Sequence, residues 1–228
     1  MKARLILALL LIGTLLPSLA HAQRGTVNSR LKHELDSLYY VDQVYRAAMF
    51  ADNKQHLVDS IASARHLSAA QVQQRLIGLM MQTDSSNLRR VEALIQRYGY
   101  PGKTLVGTPT NEAAFYVLQH SSRIPQYLPL IKRAADQGEL PFRLYAMMLD
   151  RQLMYEGKPQ IYGTQGRSYN GQPSFIWPIE DPAHVNERRK KAGFDLSVED
   201  NAKRLDIKYQ VLTLEDVRKL PGYQPVTH

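Results

Sequence analysis

Apolar and aromatic residues recur at intervals of three and four from Leu31 to Met49. This spacing places them on one side of an α-helix and predicts an amphipathic helix of about 20 residues. The stripe contains one charged residue, Asp42, at a position where the pattern calls for an apolar side chain. The members of the stripe are Leu31, Leu35, Leu38, Asp42, Tyr45 and Met49.

The next part of the chain repeats the helical spacing several times. The stretch 52–66 fits either a helix or a loop, whereas Ser68-Ala69-Ala70-Gln71 fits a capping box that opens a helix through Met81. Asp84 or Ser85 is predicted to cap the following helix, which ends at Gly99. Short joints separate three more predicted helices and favour antiparallel neighbours. These three span about 110–121, 125–137 and 141–155.

The pattern changes after Gly157. Gln160–Gln165 is strand-like, Asn170-Gly171 is a strong signal for a two-residue turn, and Gln172–Trp177 fits the returning strand. The predicted fold class is therefore mainly α, a compact antiparallel helical array with one small β-hairpin on the C-terminal side.

Two short helices are predicted after the hairpin, from Asp181 to Lys191 and from Ser197 to Arg204. Residues 30–205 are predicted to form a single helical domain that includes the hairpin 160–177. Residues 206–228 form a C-terminal tail whose structure the pattern does not define.

Residues 1–22 have the features of a secretory signal peptide. Lys2 and Arg4 precede an apolar run, and Ala20-His21-Ala22 fits a cleavage site, so cleavage after Ala22 is predicted. The alternative is an uncleaved anchor, but the run is shorter than the ~20 residues that cross a bilayer. We therefore expect a periplasmic or secreted protein with a flexible start at 23–29 and no transmembrane segment after cleavage.

Composition and charge narrow the choice of partner. The chain has no Cys, so its core is held without disulfides, and the formal charge of +8 falls to +6 once the signal peptide is removed. Four of the basic residues, Arg188-Arg189-Lys190-Lys191, lie in the last turn of a predicted helix, where cations complement the helix dipole. They are not interleaved with aromatic residues, so no nucleic-acid partner is predicted. An anionic envelope polymer stays open as a partner.

Several charged residues lie on predicted apolar faces. Asp42 should be buried, and burying it without a partner would cost several kcal/mol, so a partner is implied, with Arg46 in reach one turn later. His120 ends a set that begins at Ala113 with helical spacing, and it too is expected to point toward the core. Asp150 and Arg151 have only apolar neighbours at helical spacing and are expected to pair with other elements, for which Asp42, Arg46 and His120 are candidates.

Two interpretations of these charges stay open at this stage. One is a buried ion-pair network that fixes how the helices pack. The other is a functional pocket, because clustered, desolvated titratable groups are common at sites. In the second case, strand alternation places Gln160, Tyr162 and Thr164 on one face, where they would form, with Gln165, a polar lip for a hydrogen-bonding ligand. The alternative for this segment is a hairpin that hydrogen-bonds the helical block and closes its end. Gln119 is a further candidate ligand contact.

A series of short blocks resembles the bacterial domain-of-unknown-function family 6624, which is common in Bacteroidota. The resemblance covers roughly residues 30–205 and implies an exported bacterial protein with one mostly helical domain, without an activity, cofactor or substrate. Where the family often has an acid two residues after the His, this chain has Ser122. The blocks are Asp42-Gln43-x-x-Arg46, Val106-Gly107, Ala113-Ala114-Phe115, Gln119-His120, Leu149-Asp150-Arg151, Gln160-Ile161-Tyr162-Gly163-Thr164-Gln165 and Asp181-Pro182-x-x-Val185-x-x-Arg188-Arg189.

The sequence lacks the common motifs of nucleotide, zinc and serine-hydrolase sites, so no cofactor and no metal site is predicted. The leading hypothesis is a binding or interaction protein whose polar residues receive a small polar envelope ligand. The alternative is a hydrolase- or lyase-type enzyme in which His120 is the general acid/base, Asp42 or Asp150 orients it, and Arg46 or Arg151 holds an anion. A structural protein with no ligand is the third hypothesis.

Overall fold

The computed structural model describes residues 27–50, 54–169 and 172–225. The predicted signal peptide 1–22, residues 23–26 of the predicted flexible start, the Asn170-Gly171 turn and the last three residues of the tail lie outside this part of the chain.

The first three helices form one side of the molecule. Helix α1 spans Ser29–Phe50, as the apolar stripe predicts, α2 spans Lys54–Arg65, and α3 spans Ala69–Tyr98. The predicted capping box at Ser68 is confirmed, since its side chain accepts from the Gln71 N–H.

The prediction of two helices between Ser68 and Gly99 is wrong, because α3 is one helix of 30 residues. Asp84 and Ser85 have side chains that often cap a helix, but here neither does so. The Ser85 hydroxyl donates to the Met81 carbonyl within the helix, at 3.0 Å, and the Asp84 carboxylate contacts Arg46. The backbone therefore continues as a helix through both residues.

Four more helices complete the main helical array: α4 Lys103–Val106, α5 Ala113–Leu118, α6 Ile124–Asp136 and α7 Phe142–Tyr155. The three helices predicted for this region are confirmed, with a short 3-10 turn before α5. Helix α5 packs against α1 and α3, and α7 packs against α6. The core between them includes the fully buried residues Leu35, Leu38, Phe115, Leu118, Ile131, Leu144 and Met148.

The hairpin is smaller than predicted. Strand β1, Gly166–Arg167, pairs antiparallel with β2, Phe175–Ile176, and Gln160 forms only an isolated parallel bridge with Ile179. Residues 161–165 are not a strand, because Asp150 binds their backbone amides in a compact loop. The mainly α fold class with one small C-terminal-side hairpin is nevertheless confirmed.

Three short helices follow the hairpin: α8 Val185–Lys191, α9 Val198–Arg204 and α10 Leu214–Arg218. Helix α10 lies within the predicted tail, and its Val217 packs in the buried apolar cluster that contains Trp177. The Trp177 indole N–H also donates to the Lys158 carbonyl at 2.7 Å. Within the described residues, no helix combines the length and apolar character that a membrane span requires.

Trp177 is the only tryptophan of the chain and is 2% exposed, so its fluorescence reports on the docking of α10. We expect Val217→Asp to shift its emission to longer wavelength, because an unpaired carboxylate in this cluster would cost several kcal/mol and undock the helix. Glu215→Gln, on the exposed side of α10, should leave the spectrum unchanged. Identical spectra for wild type and Val217→Asp would contradict this packing.

Candidate functional site

The fully buried carboxylate of Asp150 organises the loop 161–164. It accepts hydrogen bonds from the backbone N–H groups of Ile161 at 2.8 Å, Tyr162 at 3.1 Å and Thr164 at 3.0 Å. The Thr164 hydroxyl also donates to it, at 2.9 Å. Burial raises the pKa of Asp150, although these donors act in the opposite direction. The expectation that Asp150 pairs with Asp42, Arg46 or His120 is therefore wrong: its partners are mainly backbone amides.

The carbonyl groups of the same loop bind side chains from α8 and α9. Arg188 donates to the Ile161 carbonyl at 3.1 Å, Arg189 to the Tyr162 carbonyl at 2.7 Å, and Asn201 to the Gly163 carbonyl at 3.2 Å. The two arginines thus hold the loop in addition to their position at a helix C-terminus.

Gly163 is the one residue of this loop whose backbone requires glycine. Its φ is +66°, and a Cβ placed there would lie 2.6 Å from Cγ2 of Val198. The predicted alternation of Gln160, Tyr162 and Thr164 along a strand face is wrong for this reason, since the chain turns at Gly163.

The two glutamines at the ends of the loop close it. The Gln160 side chain accepts from the Gln165 N–H at 2.9 Å and donates to the carbonyls of Gln165 and Trp177. The Gln165 amide donates to the Thr164 hydroxyl at 3.0 Å. These side chains are committed to internal hydrogen bonds, so they build the loop instead of forming an open lip.

Arg151 leaves α7 in a different direction from Asp150. Its Nε donates to Oε1 of Gln165 at 3.1 Å, and its Nη1 donates to the Gln119 carbonyl at 2.8 Å. Both partners are neutral, and no carboxylate among the described residues forms an ion pair with this guanidinium. Burial lowers the pKa of Arg151, and the nearby Arg46 acts in the same direction. The site therefore contains a cation whose charge is not balanced by a direct partner.

Asp42 is buried on α1, as predicted, and Arg46 lies one turn later within reach of it. Asp42 is 1% exposed, and the nearest atoms of the two charged groups, Oδ2 and Nε, are 3.9 Å apart. The stronger partner of Arg46 is Asp84 on α3, whose two carboxylate oxygens each lie 2.9 Å from Nη2. Burial raises the pKa of Asp42 to about 6, and it also raises the pKa of Asp84, in each case against the effect of Arg46.

Sequence reasoning treated Asp84 only as a helix cap and missed its contact with Arg46. A signal was present, because Asp84, Leu88 and Val91 have helical spacing and place the carboxylate on the inward face of α3.

His120 lies at the surface, and the prediction that it points into the core is wrong. Helix α5 ends at Leu118, so the helical register does not extend to His120, whose N–H bonds the Val117 carbonyl in a turn. Its imidazole makes no hydrogen bond within residues 27–50, 54–169 and 172–225. Partial burial of the ring is the main cause that lowers the pKa of His120, to about 3. The cations Arg46 and Arg151 act in the same direction. The ring is therefore neutral at pH 7.

Five residues from α1, α3, α7 and the end of α5 thus form one electrostatically connected group, which we call the polar cluster: Asp42, Arg46, Asp84, His120 and Arg151. Two buried atoms of the cluster, Oδ1 of Asp42 and Nη1 of Arg46, have no hydrogen-bond partner among the described residues. The cluster reaches the surface at His120 and at Asp84, which is 26% exposed. It can offer a ligand an acceptor, a donor and an uncompensated cation.

The chemistry of the cluster does not suit a metal ion, since two of its five side chains are cations. Among the described residues, no group of three or more His, Asp or Glu side chains is arranged to hold one.

The comparisons with known proteins give one match. The model of a family described as a family of unknown function, DUF6624, matches residues 44–212, which include every member of the polar cluster except Asp42. No curated protein and no solved structure matches the chain.

The role of Asp150 predicts a large loss of stability for Asp150→Asn. The new amide would direct N–H groups at backbone donors and lose several charge-assisted hydrogen bonds, so we expect the free energy of unfolding in urea to fall by about 3 kcal/mol. Asp136→Asn, which removes only an exposed pair with Lys132, should cost less than about 1 kcal/mol. Equal losses in the two variants would contradict the loop-holding role.

The raised pKa of Asp42 predicts a pH dependence of stability. The folded chain binds this proton at about pH 6 and the unfolded chain near 3.8, so between these values the folded state holds more protons and wild-type stability falls as pH rises. The full change is roughly 3 kcal/mol. Asp42→Asn should lack this decrease, as measured by urea unfolding at pH 4 to 7. Parallel pH curves for Asp42→Asn and wild type would show that Asp42 does not titrate in this window.

Proposed function

This chain belongs to the DUF6624 family, whose function is unknown, and we propose that its polar cluster binds a small polar ligand that carries an anionic group. The protein acts after export, in the periplasm or outside the cell, so the ligand is a component of that environment. The signal features of residues 1–22 support this location.

The observation that carries the proposal is the state of the two arginines. Within the part of the chain that the structure describes, Arg151 donates hydrogen bonds only to neutral groups, and Nη1 of Arg46 is buried without a partner. Bringing two guanidinium groups together is unfavourable unless an anion compensates them. Asp84 compensates Arg46, but no carboxylate of the described residues does so for Arg151. A carboxylate or phosphate group of a ligand would supply charge-assisted hydrogen bonds to Arg151 and to Nη1 of Arg46.

Asp42 supports a ligand that is polar as well as anionic. Its Oδ1 is buried and accepts from no donor of residues 27–50, 54–169 and 172–225, so a hydroxyl or amide N–H of the ligand would satisfy it. A ligand that joins an acid to hydroxyl or amide groups, such as an acidic sugar, fits both requirements.

The enzyme hypothesis receives less support from the geometry. A general acid/base works best with a pKa near the operating pH, whereas the pKa of His120 is about 3 and no carboxylate of the described residues orients its ring. Asp150 is occupied by the loop amides and is not available to orient it. Of Asp42 and His120, Asp42 has the pKa closer to neutrality, at about 6.

A purely structural role is also less well supported. A network that only fixed the packing of the helices would gain from pairing every buried group, because an unsatisfied buried donor or acceptor costs about 1–3 kcal/mol. Asp42 and Arg46 each leave one such atom unpaired.

A matched pair of sugars tests the proposal. N-acetylmuramic acid and N-acetylglucosamine share a ring and an acetamido group, but only the first carries a carboxylate. We expect the acid to raise the melting temperature of wild type more than the neutral sugar does, and Arg151→Gln to weaken its binding about tenfold. Inorganic phosphate and sulfate extend the comparison to other anions.

Arg133→Gln is the control, because Arg133 is exposed on α6, away from the cluster. His120→Ala determines whether the ring contacts the ligand, since an unchanged shift would exclude it from the site. The proposal fails if anions and their neutral counterparts act alike, or if the response survives Arg151→Gln undiminished.

A further inference from the structure

A second polar region borders the loop 161–164 at Thr164. A cleft of about 300 Å³ opens between α7, this loop and the segment that joins α8 to α9. This volume is at the lower end of the range for small-molecule sites. Three guanidinium groups, those of Arg143, Arg189 and Arg204, line the cleft, and one carboxylate, that of Asp195, lines it with them.

Arg189 is the centre of the cleft wall. The residue is 2% exposed, and its Nε and Nη1 donate to the carbonyls of Leu196 and Tyr162 at 2.8 and 2.7 Å. Its Nη2 makes no hydrogen bond within the described part of the chain. A buried arginine that is fixed by two carbonyls keeps its full charge and a defined orientation, which is the arrangement that recognises a phosphate or carboxylate.

The nearby acids leave this charge available. Asp150 and Glu199 both attract Arg189, but Asp150 accepts from the loop amides and Glu199 accepts from Asn186 at 2.9 Å. Arg204 contacts only the neutral Asn201 side chain, at 3.0 Å, whereas Arg143 is paired with Glu112. Arg189 and Arg204 are therefore the two cations of the cleft without a carboxylate partner in the described residues.

Part of the remaining wall is apolar. Phe194, Leu196 and Met147 line the cleft, and the Arg189 guanidinium stacks over the Phe194 ring at 4.6 Å from its centroid. A simple inorganic anion would leave these side chains in contact with water. An anion attached to a ring or a short hydrocarbon would cover them.

We propose that this cleft binds a small organic anion, with its phosphate or carboxylate group at Arg189 and Arg204 and its apolar part against Phe194 and Leu196. The cleft is distinct from the polar cluster, because no side chain that lines it belongs to the cluster.

Phenyl phosphate and benzoate are the probes, measured by calorimetry on the wild-type chain at millimolar concentrations. We expect at least one of them to bind, and phenol, the neutral counterpart, not to bind. Inorganic phosphate should bind more weakly than phenyl phosphate because it lacks the ring. Failure of both organic anions to bind overturns the proposal.

Three variants locate the binding. Arg204→Gln removes an exposed charge and should weaken binding of the better probe about tenfold. Leu196→Trp fills the cleft from its exposed rim and should abolish binding. Arg133→Gln, on α6, should have no effect.

Arg151→Gln separates the cleft from the polar cluster. Unchanged affinity for the probe in this variant supports a separate site. If Arg151→Gln abolishes binding while Arg204→Gln and Leu196→Trp leave it intact, the probe binds at the polar cluster and the proposal is overturned.

Discussion

The buried carboxylate of Asp150 and the amide groups of the 161–164 loop form the contact on which the remaining polar structure depends. A buried carboxylate is costly unless donors surround it, and a tight loop has backbone N–H groups that need acceptors. Each therefore satisfies the other. The loop carbonyls then bind Arg188, Arg189 and Asn201, so that α7 is connected through this loop to α8 and α9.

The contact also fixes the two adjacent residues of α7 in different roles. Asp150 and Arg151 point about 100° apart on the helix. The acid holds the loop, while the arginine reaches Gln165 at the end of the loop and the Gln119 carbonyl at the end of α5. Arg151, a cation with no carboxylate partner among the described residues, therefore lies near Arg46, which is paired with Asp84.

Much of the fold follows from periodicity and caps, because helical spacing and capping residues are local properties. The burial of Asp42 was predictable for the same reason. The partners of Asp150 were not predictable, since every residue except proline has a backbone N–H group. A loop of many different sequences could therefore supply these donors. The prediction placed His120 in the core because it extended the helical register of α5 past Leu118. It divided α3 into two helices because Asp84 and Ser85 are residue types that often cap a helix, although neither side chain does so here.

The hydrogen bond between the Gln165 amide and the Thr164 hydroxyl has a thermodynamic consequence. Gln165 contacts Arg151 of the polar cluster, and Thr164 lines the cleft beside Arg189, so adjacent residues of one loop form part of both walls. A ligand that displaced the loop at one wall would also change the free energy of ligand binding at the other wall. Linkage makes that effect reciprocal: each occupant would alter the affinity for the other by the same factor.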